Sequence, residues 1–289
     1  MRVTLALMYE TTTRDIQKKQ EKINRVSRDI ASGVRLHTPH DDPSAWARSL
    51  DVQQVLQRME RYKSNLDYAM SMLAVADGGL NHTHDLLVKA TEIGMAANTL
   101  NSPEEKTAYV EELGHILVEL TSTVSEKHNG QSVFGGTPIW NEETETWQWS
   151  PSRPEDDPLK LPLGDGTEAM TIPCDLSEII PAVMNALENL KASIQNEDSQ
   201  GITTALGTLD NAMENLRSLS ATVGTRLTSL ERRLDALEPL TTHRQQSLSD
   251  LRETDFLDAV STLQTHQIAL EAALKSTLAL KDLSLVRYL

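Results

Sequence analysis

Apolar residues recur every seven positions at the start of the chain. Tyr9, Ile16, Ile23 and Ile30 share one seam, with Leu5 and Val26 on intervening positions. That spacing places them along one helical face with coiled-coil periodicity. Thr12 and Lys19 fill other intervening positions, so the seam is incomplete alone and asks for a partner helix. Gly33 ends the pattern, and Val34 to His40 reads as a loop. Asp42-Pro43 restarts helix, with Asp42 as N-cap and Pro43 at the first helical position. Met59, Leu66, Leu73, Leu80 and Leu87 then form a second ladder of sevens, in which Gly78-Gly79 predicts a kink.

Ser102-Pro103-Glu104-Glu105 predicts another helix start, with a capping-box pair and proline at the first position. Val110, Leu113, Leu117, Leu120 and Val124 follow in steps of three and four, and Asn129-Gly130 turns the chain. Composition then changes. Six prolines of eleven and three tryptophans of four lie between Ser132 and Asp175, which argues for a non-helical insertion. Trp147 and Trp149 alternate with Thr146 and Gln148, the period of a half-buried strand, which we favour over a sugar-binding face. Gly164-Asp165-Gly166 predicts a turn. Helix resumes near Ser177 with Val183, Leu187, Leu190 and Ile194, and breaks between Asn196 and Gly201. A long run from Leu209 to Leu237 ends at Pro239, which predicts closure or a kink. The last segment sets Val260, Leu263, Leu270 and Leu274 on a second terminal seam, interrupted by Gln267.

These patterns predict a mainly α fold: an elongated antiparallel helical bundle with terminal coiled-coil helices and a small β-rich inserted domain. The expected divisions are an N-terminal coiled-coil assembly segment (1–41), the first half of a helical core (42–131), the insertion (132–176), the second half of the core (177–249) and a C-terminal coiled-coil assembly segment (250–289). Helix pairs on both sides of the insertion imply a chain that goes out and returns, bringing its ends side by side.

Composition supports narrow seams over one large rounded core, since aromatics make up 4% of the 289 residues. A net charge of −15 repels phosphate backbones and anionic bilayers, so neither nucleic acid nor membrane is an expected partner. The first residues are too short in apolar length for a cleaved secretory signal, and no apolar run reaches membrane-spanning length. Cys174 is the single cysteine, which leaves no intramolecular disulfide and no thiolate cluster.

Candidate chemistry is sparse. His82 and His84 stand two apart, on different faces of a helix, and lack a carboxylate at ligand spacing. Asp41 and Asp42 could suggest paired acid–base carboxylates, but helix capping explains the pair more simply. Gly78-Gly79 and Gly135-Gly136 lack the Lys-Ser/Thr ending of a phosphate loop. No catalytic, cofactor-binding or metal site is expected, and no enzyme.

The stretch Ile30-Ala31-Ser32-Gly33-Val34-Arg35-Leu36-His37-Thr38-Pro39-His40-Asp41-Asp42-Pro43-Ser44-Ala45 resembles the flagellin superfamily. Within it, the stretch is similar to the type 3 hook-associated proteins of the hook–filament junction, which show "SSGKRI..PSDDP.A". A second match runs from Ile268 to Leu274 and ends in Leu283-Ser284-Leu285-Val286-Arg287-Tyr288-Leu289, beside a family "LSL.DYL". A looser third is Asn129-Gly130-Gln131-Ser132-Val133-Phe134-Gly135-Gly136, where relatives leave the helical domain with "YLFAG". Val34, Gly135-Gly136 and Arg287 depart from the pattern.

The resemblance assigns motif roles to Ser32, Gly33, Arg35, Pro39, Asp41, Asp42, Pro43, Leu285, Tyr288 and Leu289. It implies a structural adaptor that joins hook to filament and assembles through its terminal helices. Export would use the flagellar type III apparatus without a cleaved signal. The implied partners are identical subunits, a type 1 hook-associated protein on the hook side, flagellin on the filament side and an export chaperone. Two alternatives stay open: a filament-forming flagellin, and an acidic helical scaffold or secreted effector.

Overall fold

Each long helix begins and ends where local chemistry permits. The computed structural model describes residues 2–99, 102–152, 159–163, 170–172 and 175–286. Among them, α1 (Arg2–Ser32) stops at Gly33, whose φ of +70° suits the left-handed residue that follows a helix. Next, α2 (Pro43–Ala97) starts where the Asp42 carboxylate accepts the N–H groups of Ser44 and Ala45 at 3.1 and 3.0 Å. The third helix, α3 (Pro103–Val124), has proline in its first turn, but Ser102 makes no side-chain cap; its hydroxyl turns to the Glu104 carboxylate instead. The capping box expected there does not form.

Short antiparallel pairs follow. Strands β1 (Lys127–His128) and β2 (Gln131–Ser132) are joined by Asn129-Gly130, with φ values of 50° and 79° that suit a two-residue primed turn. The larger hairpin pairs β3 (Gly136–Asn141) with β4 (Thr146–Pro151), setting Trp140 opposite Trp147. A third pair joins β5 (Leu159–Leu161) to β6 (Met170–Ile172). Helix returns with α4 (Ile179–Gln195), α5 (Ser199–Arg252) and α6 (Phe256–Val286). The Gly164–Gly166 turn and Cys174 lie outside the described residues.

Two sequence expectations concern interruptions of the long helices. Pro239 does not close α5, which runs on to Arg252. Pro239 and Asp235 both face solvent, so the carbonyl that the proline leaves unbonded is exposed. The Gly78-Gly79 pair leaves α2 continuous. Gly78 looks into open space, whereas a Cβ on Gly79 would come within 2.8 Å of the buried Phe134 ring. Gly79 is therefore a seat for the Phe134 side chain.

The chain divides into two compact units. Unit 1 comprises residues 1–57 and 241–289, and unit 2 comprises 58–240, so α2 and α5 each contribute to both. Unit 2 holds the apolar core, in which Leu66, Leu73, Leu80 and Leu87 of α2 join Leu113 and Leu120 of α3, Leu187 and Leu190 of α4, and Leu209 and Leu216 of α5. Cross-links at the rim include Lys89–Glu112 and Lys106–Glu197, both 2.7 Å. In unit 1, α1 packs along α6.

Candidate functional site

The motif between α1 and α2 folds into a polar knot that pins both ends of the chain together. Past Gly33, Val34 forms an isolated antiparallel bridge with Glu253, between α5 and α6. Arg35 N–H donates to the Arg252 carbonyl at 2.8 Å, and Thr254 N–H donates to the Gly33 carbonyl at 3.0 Å. The end of α1 thus lies against the start of α6, and the two helices run antiparallel. Arg252 also places its guanidinium 5.9 Å from the centre of the Trp46 ring, a cation–π distance. Leu36 of this loop is buried, and Val34 is half-buried.

Asp41 organises the knot. Its Oδ2 accepts the N–H groups of His37 and Thr38 at 3.0 and 2.9 Å and the Thr38 hydroxyl at 3.1 Å, while Oδ1 meets Arg25 of α1. Its own N–H closes a turn on the Thr38 carbonyl, in which Pro39 takes the position that a fixed φ favours. The Thr38 backbone bond, above all, holds the Asp41 carboxyl below its ordinary range; desolvation opposes it, and the remaining donors and Arg25 reinforce it. His37 Nε2 lies 2.9 Å from Asp29 Oδ1 of α1, so a hydrogen bond and the Arg25–Asp41 ion pair tie the loop back to its preceding helix. Asp42 caps α2, and Ser32 Oγ lies 3.2 Å from the Val34 N–H. Arg25, Asp29, Trp46 and Arg252 were not singled out in the sequence. The apolar pair Val34 and Leu36 is the signal that could have marked the loop as packed.

The α1–α6 seam lies beside this knot. On α1, Ile16, Val26 and Ile30 are half-buried and Ile23 is buried, on the same face as Thr12 and Lys19. Leu5 and Tyr9 lie in the first turns of that helix, and Leu285 in the last turn of α6; Tyr288 and Leu289 lie outside the described residues. On α6 the covered stripe comprises Ala259, Leu263, His266, Leu270 and Ala273. Of the expected seam, Val260, Leu263 and Leu270 are half-buried, and Leu274 is 45% exposed. An uncovered flank results, with Leu257 at 82% exposure, Ile268 at 69% and Leu278 at 62%. Large exposed apolar stripes of this kind mark interaction surfaces.

The histidines do other work. His82 bonds Glu119 at 3.0 Å, and among the described residues no cluster of three or more metal-ligating side chains occurs. No described helix is long and apolar enough to cross a membrane.

Two family profiles match the chain. The bacterial flagellin N-terminal helical region covers residues 3–138 and the bacterial flagellin C-terminal helical region covers 206–289. Flagellar hook-associated protein 3 of Escherichia coli is 22% identical, across 99% of this chain and 98% of that protein. The flagellar filament 33 kDa core protein of Treponema phagedenis is 22% identical across 90% of this chain and 87% of its own length. Among solved structures, a proposed flagellar hook-associated protein of Vibrio parahaemolyticus superposes with a TM-score of 0.65 at 17% identity, covering 74% of this chain and all of that one. Bacillus cereus FlgL gives 0.57 at 18% identity, covering 68% and 98%. These superpositions bear on the fold.

Proposed function

We propose that this chain, which belongs to the flagellin superfamily of structural flagellar proteins and is not an enzyme, is the adaptor subunit between hook and filament. The observation that carries the reading is the end-to-end correspondence with hook-associated protein 3, in which neither chain has a large unmatched portion. The Asp-Asp-Pro knot and the half-covered terminal helices agree with it. Ends held antiparallel, with one flank of α6 uncovered, are suited to burial against neighbouring copies, and heterologous contacts repeated around an axis close into rings or tubes. In this reading the free subunit travels through the flagellar type III apparatus, guarded by an export chaperone. It then docks between a type 1 hook-associated protein and flagellin.

Deleting the gene and inspecting purified hooks and culture medium tests the assignment. Bare hooks with unpolymerised flagellin released into the medium are expected. Intact filaments would remove the protein from the axial structure. Bare hooks without released flagellin would favour the filament subunit, a reading to which the match with the Treponema filament core protein lends support. Ile23→Asp tests the seam: unit 2 should stay folded while incorporation fails, and normal incorporation would refute the seam's role.

A further inference from the structure

We infer that Asn129 is a site of spontaneous modification, where the β1–β2 turn converts to an isoaspartyl linkage. Of the asparagines in the chain, Asn129 alone precedes a glycine. A Cβ on the following residue hinders approach of its backbone nitrogen to the asparagine side chain, and glycine has none. Both turn residues are exposed to solvent. The hairpin register pairs His128 with Gln131 and Lys127 with Ser132, so the Gly130 N–H lies outside the ladder.

The residue on the other side of Asn129 supplies a proton donor. Ser71 of α2 donates its hydroxyl to the Tyr68 carbonyl at 2.9 Å, so at 3.1 Å it accepts from the His128 Nε2–H. The imidazole also packs beside the Tyr68 ring, with 6.1 Å between ring centres. Asn129 Nδ2 lies 3.4 Å from the same His128 nitrogen. The amide group that must leave is thus held beside a general acid that α2 keeps in place.

The step balances with water as the only co-reactant. A primed turn holds the Gly130 nitrogen away from Asn129 Cγ, so reaction waits for rotation about the Asn129 Cα–C bond. That rotation leaves the Asn129 side chain beside His128. The Gly130 nitrogen then loses its proton to water and attacks Cγ. The N–Cγ bond forms, the Cγ–Nδ2 bond breaks, and Nδ2 departs as ammonia with the proton of the His128 imidazolium, which water restores. Water opens the cyclic imide at Cγ to give aspartate, or at the backbone carbonyl to give isoaspartate. Isoaspartate lengthens the backbone of a two-residue loop by a methylene, and the primed-turn geometry that keeps β1 and β2 in register is lost.

Peptide mapping of the full chain, aged in neutral buffer and digested with trypsin, tests the inference. Asn141 is the internal reference. It lies on the tryptic peptide that begins at His128, precedes Glu142, and has its Oδ1 engaged by the N–H groups of Glu143 and Thr144. Conversion is read as exchange of ammonia for water by mass and as labelling by isoaspartyl methyltransferase. It is expected to be at least about tenfold faster at Asn129 than at Asn141. His128→Gln, with its circular dichroism kept, should slow conversion about tenfold. Amide exchange at Gln131 reads turn opening separately, so slower conversion at unchanged exchange isolates the proton donor. The inference fails if Asn129 converts no faster than Asn141, or if His128→Gln converts at the wild-type rate with Gln131 exchange unchanged. Neither outcome depends on the adaptor reading, which the deletion phenotype tests.

Discussion

Unit 2 and unit 1 are held together by different physics. Unit 2 buries a continuous apolar core drawn from α2 to α5, and the area removed from water dominates its stability. In unit 1 the buried hydrophobic residues are few, Ile23, Leu36, Ala45 and Ala259 among them. Its order depends more on directed contacts, with Asp41 gathering donors and a two-stranded bridge tying the chain ends. The charges differ as well. Residues 1–57 and 241–289 hold 14 basic and 13 acidic side chains, so the chain's net negative charge comes entirely from residues 58–240. A near-neutral unit with an uncovered apolar flank is suited to close packing with copies of itself, and a strongly acidic one is suited to standing in solvent.

The largest effect that would sharpen this contrast comes from truncating core side chains. Leu87→Ala, at a fully buried position, should cost about 2–5 kcal/mol in urea unfolding. Ile268→Ala, on the open flank of α6, should stay within about 0.5 kcal/mol in the free protein while impairing assembly. Equal costs would erase the distinction between the units.

Next come the two adjacent glycines. Gly79→Ala forces a Cβ against Phe134 and should lower stability by about 1–3 kcal/mol. Gly78→Ala meets nothing and should raise stability by up to about 1 kcal/mol through helix propensity. Thermal melts of the two variants should therefore move in opposite directions.

Capping gives a smaller pair. Asp42→Ala removes two observed bonds and should cost about 1 kcal/mol. Ser102→Ala, which removes no cap bond, should shift stability by only about a few tenths of a kcal/mol.

The last effect is local and depends on pH. The folded Asp41 pKa lies below its unfolded value. The knot's stabilisation is therefore complete above the ordinary carboxylate range and is lost as pH falls through the lowered value. Amide exchange at His37 and Thr38 should quicken in that acid window. Lys89 behaves oppositely: the Glu112 hydrogen bond raises its pKa, so the α2–α3 tie is present at neutral pH and lost as pH rises through the raised value. Exchange at His37 and Thr38 that is flat across the acid range would remove Asp41 from the centre of the knot.

Much of the helical layout was legible because a seven-residue apolar period is itself a statement about helix faces. The ladder from Leu66 to Leu87 and the Asp42-Pro43 start needed only near neighbours in sequence. What was missed depends on distant residues. Gly79 looked like a weak point until Phe134, brought over from the strand region, was seen to occupy the space. Asp41 looked like half of an acidic pair, and its donors come from a loop that curls back only once Arg252 and Thr254 arrive from the far end of the chain. The covered face of α6 was hard to assign because apolar residues line two of its flanks, and periodicity alone does not say which flank meets α1.

The bridge between Val34 and Glu253 has a consequence for the family's history. It ties off everything between those two residues as one closed loop whose ends stay in register whatever lies inside. The entropy of closing such a loop grows only logarithmically with its length, by about 0.6 kcal/mol for each doubling. Intervening segments can therefore be lengthened, trimmed or exchanged with little penalty at the tie. Natural variation should concentrate in the enclosed portion, leaving the tied ends to supply a common fitting.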